Sequence, residues 1–218
     1  MIIARFTCEI LGAVPVGELH VQARVARPGR SVELLEAVAR ADGRDVACAR
    51  AWRVLRTPSQ PVAPRHAAPP ALPDAVADAP VGLPGAGQDH GWDGGYLAAI
   101  EWRVVRGSFA SPGPATAWTR LRYPLVPDEE PSPLERVLAV ADSGNGASAE
   151  LDISRWLFIN PELTVHLHRE AAGEWVCLDA ATTISAGGAG LATSVLSDLG
   201  GPFGVGAQSL LVTPQRGT

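Results

Sequence analysis

Lysine is absent from this sequence, and all 18 basic residues are arginine. That excludes Schiff-base chemistry and any mechanism built on a lysine nucleophile. Cysteine is scarce: Cys8, Cys48 and Cys177 are the only three. An odd number with no Cys-x-x-Cys pair argues against a disulfide framework and against a thiolate metal site. Each lies in an apolar, strand-like run, which predicts buried, reduced thiols. No stretch approaches the roughly 18 apolar residues of a membrane-crossing helix. The opening MIIARFTCEI lacks the charged start, long apolar run and small-residue cleavage site of a signal peptide, so a cytoplasmic protein is expected. There is no Gly-x-Ser-x-Gly elbow and no glycine-rich phosphate-binding turn between a strand and a helix, so neither a serine hydrolase of the α/β type nor a nucleotide-binding fold is expected. His166 and His168 share one strand face, but no third ligand stands at a useful spacing, so no metal is expected. Charge is limited too. Charged residues are 19% and the net charge is -5, with no clustered positive charge of the kind that neutralises phosphates, which excludes a general nucleic-acid binder.

What the chain does have is apolar residues, 46% of its 218 positions, enough for one large domain or two small ones. Residues 1–56 read as β. Ile2 to Leu11 is apolar and partly alternating. After Pro15 and Gly17, Leu19, Val21, Ala23 and Val25 alternate with His20, Gln22 and Arg24, the period of a half-buried strand. Val32 to Ala41 and Val46 to Leu55 flank Asp42-Gly43, a hairpin signal because both residues tolerate positive φ. Four strands joined by turns predict an antiparallel meander. Residues 57–90 are crowded with Pro, Ala and Gly and read as a linker.

Order returns at Trp92. Strands are expected over Tyr96 to Val105 and Thr116 to Leu125. A helix start follows: Ser132 as N-cap, Pro133 at N1 and Glu135 at N3 form a capping box. Leu134, Val137, Leu138 and Ala141 give an apolar stripe, and the glycines of Asp142-Ser143-Gly144-Asn145-Gly146 predict a left-handed cap. Further strands are expected over Ser148 to Phe158, Leu163 to Arg169, Trp175 to Ile184, Gly190 to Ser197 and Val205 to Val212. One helix followed by a long antiparallel meander is an α+β pattern.

The two halves resemble each other. RPGRSVELLEAVARADGRDVACARAWRVL has the layout of ISAGGAGLATSVLSDLGGPFGVGAQSLLV without gaps, and Pro15 is matched to Pro161. On that reading Asp152 stands opposite Phe6, Thr183 near Ala26 and Gln208 opposite Ala51. Polar residues where the sister copy is apolar suggest that only the second copy carries a site.

At this point a family resemblance enters. AELDISRWLFINPELTVHLHREAAGEWVCLDAATTISAGGAGLATSVLSDLGGPFGVGAQSLLV is similar to the second half of double hot-dog thioesterases, relatives of acyl-CoA thioesterase II. SPLERVLAVADSGNG resembles the central helix of that half, and FTCEILGAVPVGELHVQARVARPGRSVELLEAVARADGRDVACARAWRV the strands of the first. The resemblance implies an α+β double hot dog with modules at 1–56 and 91–218. It also implies hydrolysis of acyl-CoA thioesters without cofactor or metal, and a possible homo-oligomer. In the family an Asp, a Thr and a Gln activate water. Leu151-Asp152-Ile153-Ser154-Arg155-Trp156 carries the Asp motif. Thr183, eight residues after Trp175, is the matching Thr, with Thr182 one residue away, and Gln208 lies on the last strand. Asp142 is either a cap or a substrate-lining residue; Trp156 is either core or part of an acyl tunnel. Family members begin with a further strand and helix, so a late-started chain whose first module lacks its helix is expected. A non-catalytic acyl-binding module is the alternative. A hot-dog hydratase is disfavoured, because Leu134 to Asp142 contains no His.

Overall fold

The computed structural model describes residues 1–64, 66–74 and 95–215. The first half holds β1 (Ile2–Ile10), β2 (His20–Arg27), β3 (Val32–Ala41) and β4 (Arg44–Val54). The second holds α1 (Gly95–Ala99), β5 (Ile100–Arg106), β6 (Ala115–Leu121), α2 (Pro133–Ala141), α3 (Gly144–Ala147), β7 (Trp156–Ile159), β8 (Glu162–Leu167), β9 (Val176–Ile184), β10 (Ala189–Asp198) and β11 (Gly201–Pro214). All strand pairs are antiparallel in one sheet of order β2-β3-β4-β1-β8-β11-β10-β9-β6-β5, with β7 on the far end of β11. Part of the expected linker is docked on the sheet: the Trp118 indole N–H donates to Pro70 O and Arg103 to Pro73 O. Residues 75–90 of it, with Trp92, lie outside the described residues.

The hairpin at Asp42-Gly43 forms as read, with φ of 50° and 73°, the left-handed pair that two-residue hairpins require. The meander holds only for β2 to β4. β1 pairs with β4 and not with β2, because its connection, residues 11–19, is longer than a hairpin loop and lets it cross to the far side. There β1 becomes a central strand, pairing with β8 on its other edge through Phe6 with Val165, Thr7 with Thr164 and Cys8 with Leu163.

That seam is a pseudo-dyad. Thr7 and Thr164 face each other there, and equivalent residues of the two halves differ by 157 positions: Arg50 and Ala207 pair with them, and Ala51 and Gln208 follow. Leu35 pairs with Ala51 as Ala192 pairs with Gln208. The gapless repeat is therefore real, and Gln208 does stand where the first half has Ala51. Two of the sequence matches fail. The counterpart of Phe6 in this register is Leu163, not Asp152, and that of Pro15 is Ala172, not Pro161, because the repeat begins at β8 and leaves the stretch before it unmatched.

α2 begins as expected. The Ser132 hydroxyl accepts from Glu135 N, and the Glu135 carboxylate accepts from Ser132 N at 2.6 Å. That amide holds the Glu135 carboxyl below its usual range. Ser132→Ala is expected to cost about 1 kcal/mol of stability, measurable as a lower urea midpoint; an unmoved midpoint would mean that packing alone holds the helix start.

Three boundaries depart from expectation. α1 occupies the start of the Tyr96 strand, which begins at Ile100. α2 does not end on a left-handed glycine: Asp142 is right-handed and the chain turns into α3. Gly144 is small for another reason, since a Cβ there would stand 2.7 Å from Gln208 Oε1. The strand expected from Ser148 shrinks to β7. Asp152 stops it by accepting from both the amide and the hydroxyl of Ser154, at 2.8 and 2.6 Å, a local turn that competes with strand pairing.

α2 lays Val137, Val140 and Ala141 on Ala115, Ala117, Leu178, Ala180 and Leu196 to form the main core, where the small alanines let helix and sheet approach. The same sheet face continues into the first half as Leu35, Ala37, Ala39, Ala47, Ala49 and Ala51. No α-helix forms among residues 1–64, whose one helical turn is the short 3-10 segment Gln60–Val62, and Val21 and Val25 on that face are 65% and 48% exposed. Only Cys177 is the fully buried thiol expected, and burial followed by the nearby Asp179 charge pushes it up to about 12; Cys8 and Cys48 are half-buried. Among the described residues no helix is long and apolar enough to cross a membrane, and no cluster of three metal-ligating side chains occurs.

Candidate active site

Across β9, β10 and β11 one row of the sheet reads Thr182, Ala192, Gln208. Residues directly opposite in neighbouring strands share a face, so these three point toward α2 and α3. Gln208 is 1% exposed, and a buried primary amide must find partners for both ends. Its Nε2 donates to Asp142 O at 2.9 Å and to Asp142 Oδ1 at 3.0 Å. Its Oε1 accepts from Asn145 N at 2.9 Å. The glutamine thus ties the α2–α3 corner to the sheet, and the missing Cβ of Gly144 makes room for it.

Asp142 is the charged member of this corner. It closes α2 and is exposed on its outer side. Its Oδ1 takes a second donor, Asn160 Nδ2, at 2.8 Å. With two amide donors on Oδ1, Oδ2 has no hydrogen-bond partner among the described residues. A carboxylate gripped by one oxygen and open at the other is a positioned acceptor for a proton. Burial first, then the Asp142 charge, pushes up the thiol of Cys8 on β1. From above, Tyr96 clamps the same corner. Its hydroxyl donates to Ala139 O at 2.6 Å, so its oxygen accepts from Ser143 Oγ at 2.6 Å. Burial, aided by Asp142 and opposed by the Ser143 hydrogen bond, pushes its pKa up to about 12.

Thr182 lies at the other end of the row and is 8% exposed. The Ser148 hydroxyl donates to Gly144 O at 2.8 Å, so the 2.8 Å contact with Thr182 is a bond that Thr182 donates. Thr183 pairs with Leu191, not Ala192. It therefore points to the opposite, exposed face, and the strand pleat brings Thr182, not Thr183, to the side of Gln208.

Asp152 makes no hydrogen bond to Gln208 or to either threonine. One oxygen is spent on Ser154, whose hydroxyl and then amide hold the carboxyl below its usual range. Trp156 packs with Leu151 and Ile153 on the patch of Ala149, Phe158, Ala192, Leu210 and Val212, a core position. Trp175 is capped by Arg103 and Arg120, whose guanidinium carbons lie 4.4 and 4.8 Å from its ring centre. Of the residues singled out in the sequence, the structure joins Asp142 and Gln208 directly and places Thr182 on their row. Asn145, Ser148, Asn160 and Tyr96 were missed. Only contacts across 18 to 63 residues of chain reveal them, and no local spacing encodes that.

The sequence matches two family models. One, described as the acyl-CoA thioesterase C-terminal domain, covers residues 73–212, and the other, the acyl-CoA thioesterase N-terminal domain, covers residues 2–54. No curated protein matches the chain in sequence. Among solved structures the fold is similar to an acyl-CoA thioesterase II from Mycobacterium marinum, at 17% identity and TM-score 0.67, over 99% of this chain and 82% of that one. It is also similar to a hot-dog protein of unknown function from Alicyclobacillus acidocaldarius, at 16% identity and TM-score 0.69, over 99% and 80%. A third is the tesB protein of Mycobacterium avium subs paratuberculosis, at 16% identity and TM-score 0.64, over 97% and 79%.

Proposed function

We propose that this chain, which belongs to the acyl-CoA thioesterase family, hydrolyses acyl-CoA thioesters at the α2–α3 corner with Asp142 as the base. The observation that carries this reading is the carboxylate of Asp142, fixed through Oδ1 by Gln208 and Asn160 and open at Oδ2. A water bound to Oδ2 gives its proton to the carboxylate as its oxygen attacks the thioester carbonyl. The C–S bond then breaks, the proton passes to the sulfur, and free acid and coenzyme A leave. A positioned base of this kind contributes about 10²–10⁴-fold. The thioester bond is already activated, so the mechanism needs neither metal nor cofactor. Gln208 acts as a positioning residue, because all of its amide bonds are to protein. Thr182 steadies α3 through Ser148. Two modules, 1–56 and 91–218, joined by the linker and acting in the cytoplasm, complete the reading.

Thiol release from coenzyme A thioesters of short to long acyl groups tests it. The expected result is release by the parent chain that is strongly reduced in Gln208→Ala. A folded chain that releases no thiol from any member of the panel yet binds the thioesters would instead be an acyl-binding module.

A further inference from the structure

At the start of α2 a cavity of about 290 Å³ opens onto the seam between the halves. Its wall is apolar where Ile3, Leu35, Leu134, Val137 and Leu167 meet, and it carries two charged residues, Arg53 and Glu170. Arg53 sits opposite Ile3 on β1 and Glu33 on β3, so it shares the sheet face that packs under the helix. One of its terminal nitrogens pairs with Glu33. Its Nε is shut from solvent with no hydrogen-bond partner, and Nη1 has none among the described residues. Glu170 is paired with Arg56. The two cations and two carboxylates therefore cancel, and what remains at this wall is a surplus of N–H donors. Arg53 is only partly exposed, at 38%, and an unmatched donor on a charged group beside an apolar wall favours a ligand that brings an acceptor. A carboxylate would meet Glu33 and Glu170; a neutral oxygen would not.

We infer that the site takes acyl groups bearing a neutral oxygen, a hydroxyl or a ketone, toward the far end of an apolar chain, and that Arg53 selects for it. The inference rests on the thioester being held at Asp142. Asp142 closes α2 and Pro133 begins it, a separation of roughly 14 Å at the helical rise, which suits a chain of roughly ten carbons.

Non-hydrolysable thioethers test this without requiring turnover. S-decyl-coenzyme A and S-(10-hydroxydecyl)-coenzyme A are titrated into the unaltered chain by calorimetry. The hydroxylated analogue is expected to bind about tenfold tighter, as for one hydrogen bond to a charged donor. Arg53→Met should erase that difference between the two analogues. Because Arg53→Met strands Glu33, the double variant Arg53→Met with Glu33→Gln is measured beside it and should behave the same way. Equal affinities for the two analogues in the unaltered chain overturn the inference, even if thioesters are hydrolysed. A preference that survives in either folded variant overturns the role of Arg53. A preference with no hydrolysis of any thioester leaves the inference standing and removes the hydrolase reading, whereas a failure to bind either analogue overturns the inference and leaves the hydrolase reading to the thiol-release assay.

Discussion

Asp142→Asn is expected to lower kcat for thiol release by about 10²–10⁴-fold, whereas Asp152→Asn leaves it close to the parent value. Both changes remove one negative charge at constant size, so the comparison isolates position. In Asp142→Asn the side-chain oxygen can still accept from Gln208 and Asn160, so the corner keeps its shape and only the proton acceptor is lost. KM should change little, because the carboxylate is asked to act on water and not to bind the acyl chain. In Asp152→Asn the amide oxygen can still accept from Ser154, so the turn before β7 survives. The sequence motif around Asp152 and the geometry around Asp142 therefore make opposite predictions in one experiment. A large loss in Asp152→Asn with none in Asp142→Asn would return the base to the motif. It would require Asp152 to leave its turn when substrate binds. Thr182→Ala and Thr183→Ala divide in the same way: the first should weaken the Ser148 contact and slow turnover, and the second lies on the outer face.

Much of the fold was legible because it is written in local patterns. The Asp42-Gly43 turn, the Ser132–Glu135 box and the period-2 strands each depend on a few neighbouring residues. The repeat was legible because its second copy runs without gaps, and it correctly set Gln208 against Ala51. The departures have separate physical causes. Asp152 and Ser154 look like strand residues one at a time, but a carboxylate two residues before a hydroxyl can make a turn, and that option won. Thr182 and Thr183 could not be separated by spacing alone, since a one-residue shift reverses the face of every side chain. The register fixes the parity: Thr182 lies across from Ala192, and Ala192 across from Gln208. Asp142 read as a cap or a lining residue because its sequence position serves both purposes. Its carboxylate became a candidate base only when Gln208, 66 residues later, was seen to hold it.

Arg169→Met is expected to cost about 3–5 kcal/mol of stability at neutral pH while sparing the corner at Asp142. Asp198 is fully buried at the end of β10. Arg169 donates to its two carboxylate oxygens, at 2.5 and 2.8 Å, and the amides of Ala172 and Gly200 donate at 2.8 Å each. Burial by itself would raise this carboxyl, but the guanidinium and the two amides outweigh it and hold it below its usual range. Because the folded value is depressed, the contribution to stability is present above the unfolded carboxylate value, about 3.9, and is lost as pH falls through the folded value. Removing Arg169 reverses the balance, leaving a buried carboxylate with two backbone donors and no counter-charge. The deficit should be largest at pH 7 and shrink toward pH 4, as protonation of Asp198 relieves the unpaired charge. Urea midpoints of parent and variant at the two pH values measure this, and a deficit that stays constant with pH would show that packing, not charge, is lost. The first half supplies the control. At the same hairpin, 157 residues earlier, Ala41 and Gly12 replace Asp198 and Arg169, and a surface ion pair of Arg40 with Asp45 crosses the turn instead. A buried carboxylate is therefore not required by the hairpin itself. The Arg169–Asp198 pair serves to fasten the loop after β8 to the β10–β11 turn, because Arg169 also donates to Gly201 O at 2.6 Å.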